Sequence, residues 1–78
     1  FTLENVLGDY SQEERLVEQV SLKEAIRKLP EKEQQVIALR YYHGMTQDAA
    51  ARVIGVSQVQ VSRLEKRAIE KLRVLLEA

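Results

Sequence analysis

The chain has 78 residues, 45% apolar and 31% charged, with twelve basic and twelve acidic side chains that cancel. Such a length serves one small domain around one hydrophobic core. Cysteine is absent and His43 is the only histidine, which excludes disulfide scaffolds, iron–sulfur clusters, zinc knuckles and thiol catalysis and argues against any metal site. No cofactor is expected. No apolar stretch approaches the roughly 18–20 residues of a membrane span, and no signal-peptide pattern opens the chain. These features predict a cytoplasmic binding module with no membrane contact, not an enzyme.

The balanced charge conceals a gradient. Residues 1–33 carry a net charge of −3 and residues 34–78 a net charge of +3, with five bases between positions 63 and 73. A basic C-terminal half points toward a polyanionic partner, although a solvated helix face explains the same residues.

Residues 1–12 have neither helical nor strand periodicity, and a chain that opens on Phe1 reads as an excerpt of something longer. Gly8-Asp9 signals a turn, and Ser11 with Glu14 forms a capping box for a helix over about 12–29. The spacing of Leu16, Val20, Leu22, Ala25, Ile26 and Leu29 drifts, which places a break near Val20-Ser21. Pro30 ends this helix, because a proline pushes the preceding residue out of helical geometry. A second helix follows over about 31–43, and its apolar residues Val36, Ile37, Leu39, Tyr41 and Tyr42 run nearly all the way round. Gly44 terminates it. Thr46 caps a short third helix, Gln47 to about Ile54, which Gly55 stops. Ser57 caps a fourth that runs to about Leu76. The fold class is all-α, a small four-helix domain.

Residues 47–66 match a helix-turn-helix. Ala51 sits where two helices cross and only a small side chain fits, and Gly55 holds the turn, where a left-handed backbone is needed. Val56 plugs the turn into the core, while Val61 and Leu64 bury the inner face of the second helix. Such a crossing lets the second helix enter a major groove while the first braces it. With about 100° per residue, Val61, Leu64, Ala68, Leu72 and Leu75 cluster on one side. Val59, Ser62, Arg63, Lys66, Glu70 and Arg73 fall opposite. Val59 suits a thymine methyl group, and Gln58 and Arg63 suit adenine and guanine edges. Lys66 and Arg67 suit phosphates, as do the backbone N–H groups of Thr46 and Gln47 at a helix N-terminus.

The run from Leu29 to Gln47, followed by Ile54-Gly-Val-Ser-Gln-Val-Gln-Val-Ser-Arg-Leu-Glu-Lys66, resembles region 4 of bacterial RNA polymerase sigma factors. The stretch 57–66 is particularly similar to the sporulation and general-stress branch of Gram-positive bacteria. The resemblance covers about 20–78, leaving 1–19 as a linker or remnant of the preceding region. It implies a promoter-recognition domain of an alternative sigma factor that binds double-stranded DNA at the −35 element and directs transcription initiation. It also implies docking on the β flap of RNA polymerase core, whose tip helix enters an apolar groove, and an anti-sigma protein as a further partner. By position, Gln58, Val59, Ser62 and Arg63 face bases, and Arg40, Lys66 and Arg67 face phosphate. The excess of apolar residues on the second helix assigns the docking surface to Leu29, Ile37, Leu39, Tyr41 and Tyr42, some of them exposed in the free domain. Vegetative members have charges where this chain has Val59 and Ser62, so their promoter consensus does not transfer. The Ala49-Ala50-Ala51 run is another departure, and without region 2 this chain alone is not expected to initiate transcription.

Two further readings compete. The DNA-binding domain of a response-regulator-type activator shares this motif but dimerises through its last helix, where Ile69, Val74 and Leu76 lie off the core stripe. A region 4 domain is instead monomeric when isolated. An enzyme has little support, since Tyr10, Tyr41, Tyr42 and His43 form no acid–base or nucleophile arrangement.

Overall fold

The computed structural model describes residues 3–7 and 21–77. Gly8-Asp9, the Ser11–Glu14 capping box and the first half of the helix expected over 12–29 lie outside them. Among the described residues there are no strands, and no helix is long and apolar enough to cross a membrane. The order is α1 (Leu3–Leu7), α2 (Leu22–Arg27), α3 (Glu31–Ile37) widening into a π-turn over Ala38–Tyr42, α4 (Gln47–Ile54) and α5 (Gln58–Glu77).

Each start has a local cause. At α2, Ser21 is extended (φ −69°, ψ 159°) and its Oγ accepts from the Glu24 N–H at 3.2 Å. The same hydroxyl donates to Glu24 Oε1 at 3.2 Å, so the helix starts at the break expected near Val20-Ser21. At its far end the bonds shorten to Lys28 N–H→Ala25 O and Leu29 N–H→Ile26 O before Pro30. Gln34 reaches back from α3 and donates to the carbonyls of Leu29 (2.7 Å) and Arg27 (3.1 Å), satisfying acceptors that the end of α2 leaves open.

Pro30 is the N-cap of α3, and this has a cost further along. Glu33 stands at the third helical position, where a glutamate normally folds back onto the N-cap N–H. Proline has none. Glu33 is only 4% exposed; its Oε2 accepts from Lys71 Nζ at 2.9 Å, and its Oε1 is buried without a partner among the described residues.

Two apolar clusters share the long helix α5. Val36, Ala50, Ala51, Val61 and Leu64 form the first, with Leu39, Ile54 and Val56 against it. Leu3, Leu7, Ala25, Leu29, Ile37, Ala68, Ile69, Leu72 and Leu76 form the second, with Tyr41 and Leu75 against it. The apolar residues that encircle α3 are thereby explained: Val36 and Leu39 face one cluster, and Ile37 and Tyr41 the other. Two residues expected on a docking surface are buried in the second cluster: Ile37 is 0% exposed because its helix stands between two cores, and Leu29, just before Pro30, is 4% exposed.

The C-terminal half of α5 corrects the expected stripe. Ile69 and Leu76, taken to lie off the core, are buried, while Leu75 is only partly covered. The reason is α1, a helix in a stretch without readable periodicity, whose Leu3 and Leu7 are buried in the same cluster. Arg73 Nη2 donates to the Val6 carbonyl at 3.0 Å and ties the two helices together. A dimer seam through Ile69 and Leu76 is therefore closed, and only Val74 of that trio is exposed.

Candidate nucleic-acid interface

Helices α4 and α5 meet at a sharp corner built from adjacent residues. Thr46 (ψ 163°) places Oγ1 where it accepts from the Ala49 N–H at 3.1 Å and starts α4. Gly55 ends it at φ 86°, ψ 34°, and the N–H groups of Gly55 and Val56 both return to the Ala51 carbonyl at 2.8 and 3.0 Å. Doubled bonds of this kind close a helix on a left-handed residue, and glycine adopts that backbone without a Cβ penalty. Ser57 Oγ then accepts from the Gln60 N–H at 3.1 Å and starts α5. Ala51 is buried at the crossing, as its size requires.

Because Val61 and Leu64 face the core, the helix presents its other side to solvent. Gln58, Val59, Ser62, Arg63, Lys66 and Arg67 are all exposed. Val59 keeps 55% of its surface open in the first turn of the helix, a position where an aliphatic group gains nothing from the fold itself. The exposed face carries Arg63, Lys66, Arg67 and Arg73 against Glu70, so its field favours a polyanion.

Behind this face lies a polar hub that the sequence pattern did not reveal. Glu65 accepts from Arg40 Nε at 2.8 Å, from the Tyr41 hydroxyl at 2.6 Å and from Gln47 Nε2 at 3.1 Å. Arg40 Nη1 also donates to the Met45 carbonyl at 2.6 Å, and Gln58 Nε2 donates to Gln47 Oε1. Burial acts to raise the pKa of Glu65, but the bonds from Arg40, Tyr41 and Gln47 and the charge of Arg40 outweigh it and hold the carboxyl below its ordinary value. Burial, reinforced by donation to that carboxylate, pushes the Tyr41 phenol up to about 12. One clue was available: an acid inside the basic run 63–73, on the flank between the buried and exposed faces.

The hub changes the standing of several expected residues. Arg40, expected on phosphate, has its guanidinium engaged inside the protein, with its side chain 23% exposed. Tyr41 is tied to Glu65 through its hydroxyl, and Leu39 is half-covered by the first cluster. Tyr42 is 62% exposed. Thr46 uses its hydroxyl as a cap, and Gln47 links the hub to Gln58 on the exposed face. A separate open groove of about 410 Å³ lies between the end of α2 and α5, lined by Lys28, Leu29, Glu70, Lys71, Val74 and Leu75.

Comparison with known proteins agrees with this arrangement. Residues 25–74 match the family described as Sigma-70, region 4. The chain belongs to that family. Over 76 residues it is 43% identical to RNA polymerase sigma-F factor of Bacillus subtilis (strain 168), an alignment that covers 97% of this chain and 29% of that protein. It is 35% identical over 72 residues to RNA polymerase sigma-G factor of the same organism, covering 92% and 28% of the two chains, and 36% identical over 63 residues to its sigma-B factor, covering 81% and 24%. The region 4 chain thus spans under a third of the length of these relatives. No solved structure matches it. Within the region 4 match fall α3, α4, α5 as far as Val74, the corner at Gly55 and every exposed residue of the α5 face from Gln58 to Arg67.

Proposed function

We propose that this region 4 domain recognises the −35 promoter element for an alternative sigma factor of the sporulation branch, with α5 in the major groove and α4 bracing it across the backbone. The observation that carries this reading is the exposed row Gln58, Val59, Ser62 and Arg63 on a helix whose opposite side is core. Gln58 and Arg63 supply hydrogen-bonding ends for purines, Val59 an apolar contact for thymine, and Ser62 a hydroxyl that suits several bases. Lys66 and Arg67 lie further along the helix, where phosphates pass, and the N-terminus of α4 at Thr46 and Gln47 is the bracing contact. Arg40 contributes to phosphate binding only through guanidinium edges left over from Glu65 and Met45.

Docking on the polymerase β flap belongs to the same reading. Its support is the open apolar groove, to which Leu29 contributes, together with the exposed ring of Tyr42. An apolar helix fits such a groove, and an anti-sigma protein competes for the same surface. The domain acts as a monomer in the cytoplasm. The test is protection of promoter DNA by the full-length protein assembled with polymerase core. Protection that is lost on scrambling the −35 element supports the reading, and protection indifferent to that element overturns it.

A further inference from the structure

The hydrogen-bond chain that ends on Gln58 has a polarity, and Glu65 sets it. An ionised carboxylate offers only acceptors, so Gln47 must turn its amide nitrogen toward Glu65, at 3.1 Å. An amide has one donor end and one acceptor end, which leaves Gln47 Oε1 facing away from the hub. Gln58 meets that oxygen with its own Nε2. Reversing either amide would set oxygen against oxygen at one end of the chain. Glu65 itself does not depend on Gln47 for its place, because Arg40 and Tyr41 hold both of its oxygens.

We propose that Gln47 and Glu65 are positioning residues that make Gln58 a reader of adenine and bar it from guanine. This rests on the DNA-binding reading above and adds the base and the means of selection. With one Nε2 proton held by Gln47, Gln58 presents one acceptor and one remaining donor. Adenine's major-groove edge offers the complement, an N6 donor beside the N7 acceptor. Guanine offers two acceptors, O6 and N7, and matching both takes both protons of the amide nitrogen. An untethered glutamine can swivel to give them. A glutamine bonded to Gln47 cannot do so without breaking that bond, so the discrimination comes from a residue on α4 that need not touch a base.

The test is selection from a duplex library, with the full-length protein and sequencing of the bound fraction. Wild type is expected to favour adenine over guanine by about tenfold at one position, within the range a bidentate contact confers. Gln58→Ala should erase the preference at that position and no other. Gln47→Met and Gln47→Ala should each let guanine compete there to within about twofold of adenine, with the other positions unchanged. Two variants are used so that a folding defect in one, checked by circular dichroism, leaves the other to decide. Gln47 variants that keep the full adenine preference, or a Gln58→Ala change that spares every position, overturn the proposal while leaving DNA binding intact. A wild-type protein that enriches no sequence overturns the DNA-binding reading and this proposal with it.

Discussion

Replacing Glu65 with glutamine keeps the shape of the hub and removes its charge. The wild-type carboxylate accepts from a guanidinium, a phenol and an amide, with side-chain exposures of 13% for Glu65 and 23% for Arg40. Hydrogen bonds to a charged group contribute about 1.5–3 kcal/mol, against about 0.5–1.5 for neutral pairs. The bond from Arg40 keeps the guanidinium charge, whereas those from Tyr41 and Gln47 become neutral pairs at a cost of roughly 1–1.5 kcal/mol each, and the new NH₂ group meets a donor on one side. We expect Glu65→Gln to lower stability by about 2–3 kcal/mol at neutral pH, after allowing for water that reaches the partly open side. For a domain this small that corresponds to a fall in Tm of roughly 10–20 °C. The pH dependence has a definite sign. A carboxyl whose pKa is depressed by folding stabilises above its unfolded pKa, and that contribution fades as pH falls through the folded value. Urea titrations of both proteins from neutral pH to below the ordinary glutamate range should show the gap closing on the acid side. A neutral-pH gap under about 1 kcal/mol, or one that stays flat with pH, would refute the charge-based account of the hub.

Other expectations are more local. Gly55→Ala should cost about 1–2 kcal/mol through backbone conformation alone, since a Cβ there meets nothing within 4 Å; no loss in thermal unfolding would remove the left-handed requirement. Leu76→Ala, at a fully buried site, should cost about 2–5 kcal/mol in chemical denaturation, whereas Val74→Ala, 68% exposed, should cost almost nothing. Arg63→Ala should reduce discrimination between specific and scrambled duplexes by about 1–3 kcal/mol. Lys66→Ala and Arg67→Ala should weaken both duplexes alike and lower the salt slope by roughly 0.9 per contact, read from titrations in salt. On the alkaline side, the Tyr41 phenol stabilises the fold below its ordinary pKa and loses that contribution as pH rises toward about 12; Tyr41→Phe should remove this alkaline component from the unfolding curve.

What the sequence disclosed was local or periodic. Thr46, Gly55 and Ser57 act on backbone groups within four residues, so their caps and turn are written beside them. Val61, Leu64, Ala68 and Leu72 repeat at helical spacing and all four are buried, the first two in one cluster and the last two in the other; of the expected stripe only Leu75 is partly open. The failures depend on distant chain. Ile69 and Leu76 gain their burial from α1, more than sixty residues earlier, in a stretch too short to display a period. Glu65 draws its partners from positions 40, 41 and 47, and no spacing rule connects an acid to residues on two other elements. The apolar girdle of α3 was legible, but its explanation by two cores required knowing that α5 runs past both. Gln47 was singled out for its backbone, whereas its side chain links the hub to Gln58.

The π-turn over Ala38–Tyr42 has a consequence for chain length. In it the His43 N–H bonds the Ala38 carbonyl, and the Met45 N–H bonds that of Leu39, so each turn contains more residues than an α-helix needs. A widened turn of this sort accommodates one surplus residue without disturbing the phase on either side. Losing a residue early in α5 rotates the rest of that helix by about 100° and turns its exposed row toward the core. Losing Ala38, small and half-covered, instead lets the turn tighten into regular helix while both flanks keep their bearings. In this domain Ala38 is the residue whose loss the widened turn can absorb while Gln58 and Arg63 still face outward.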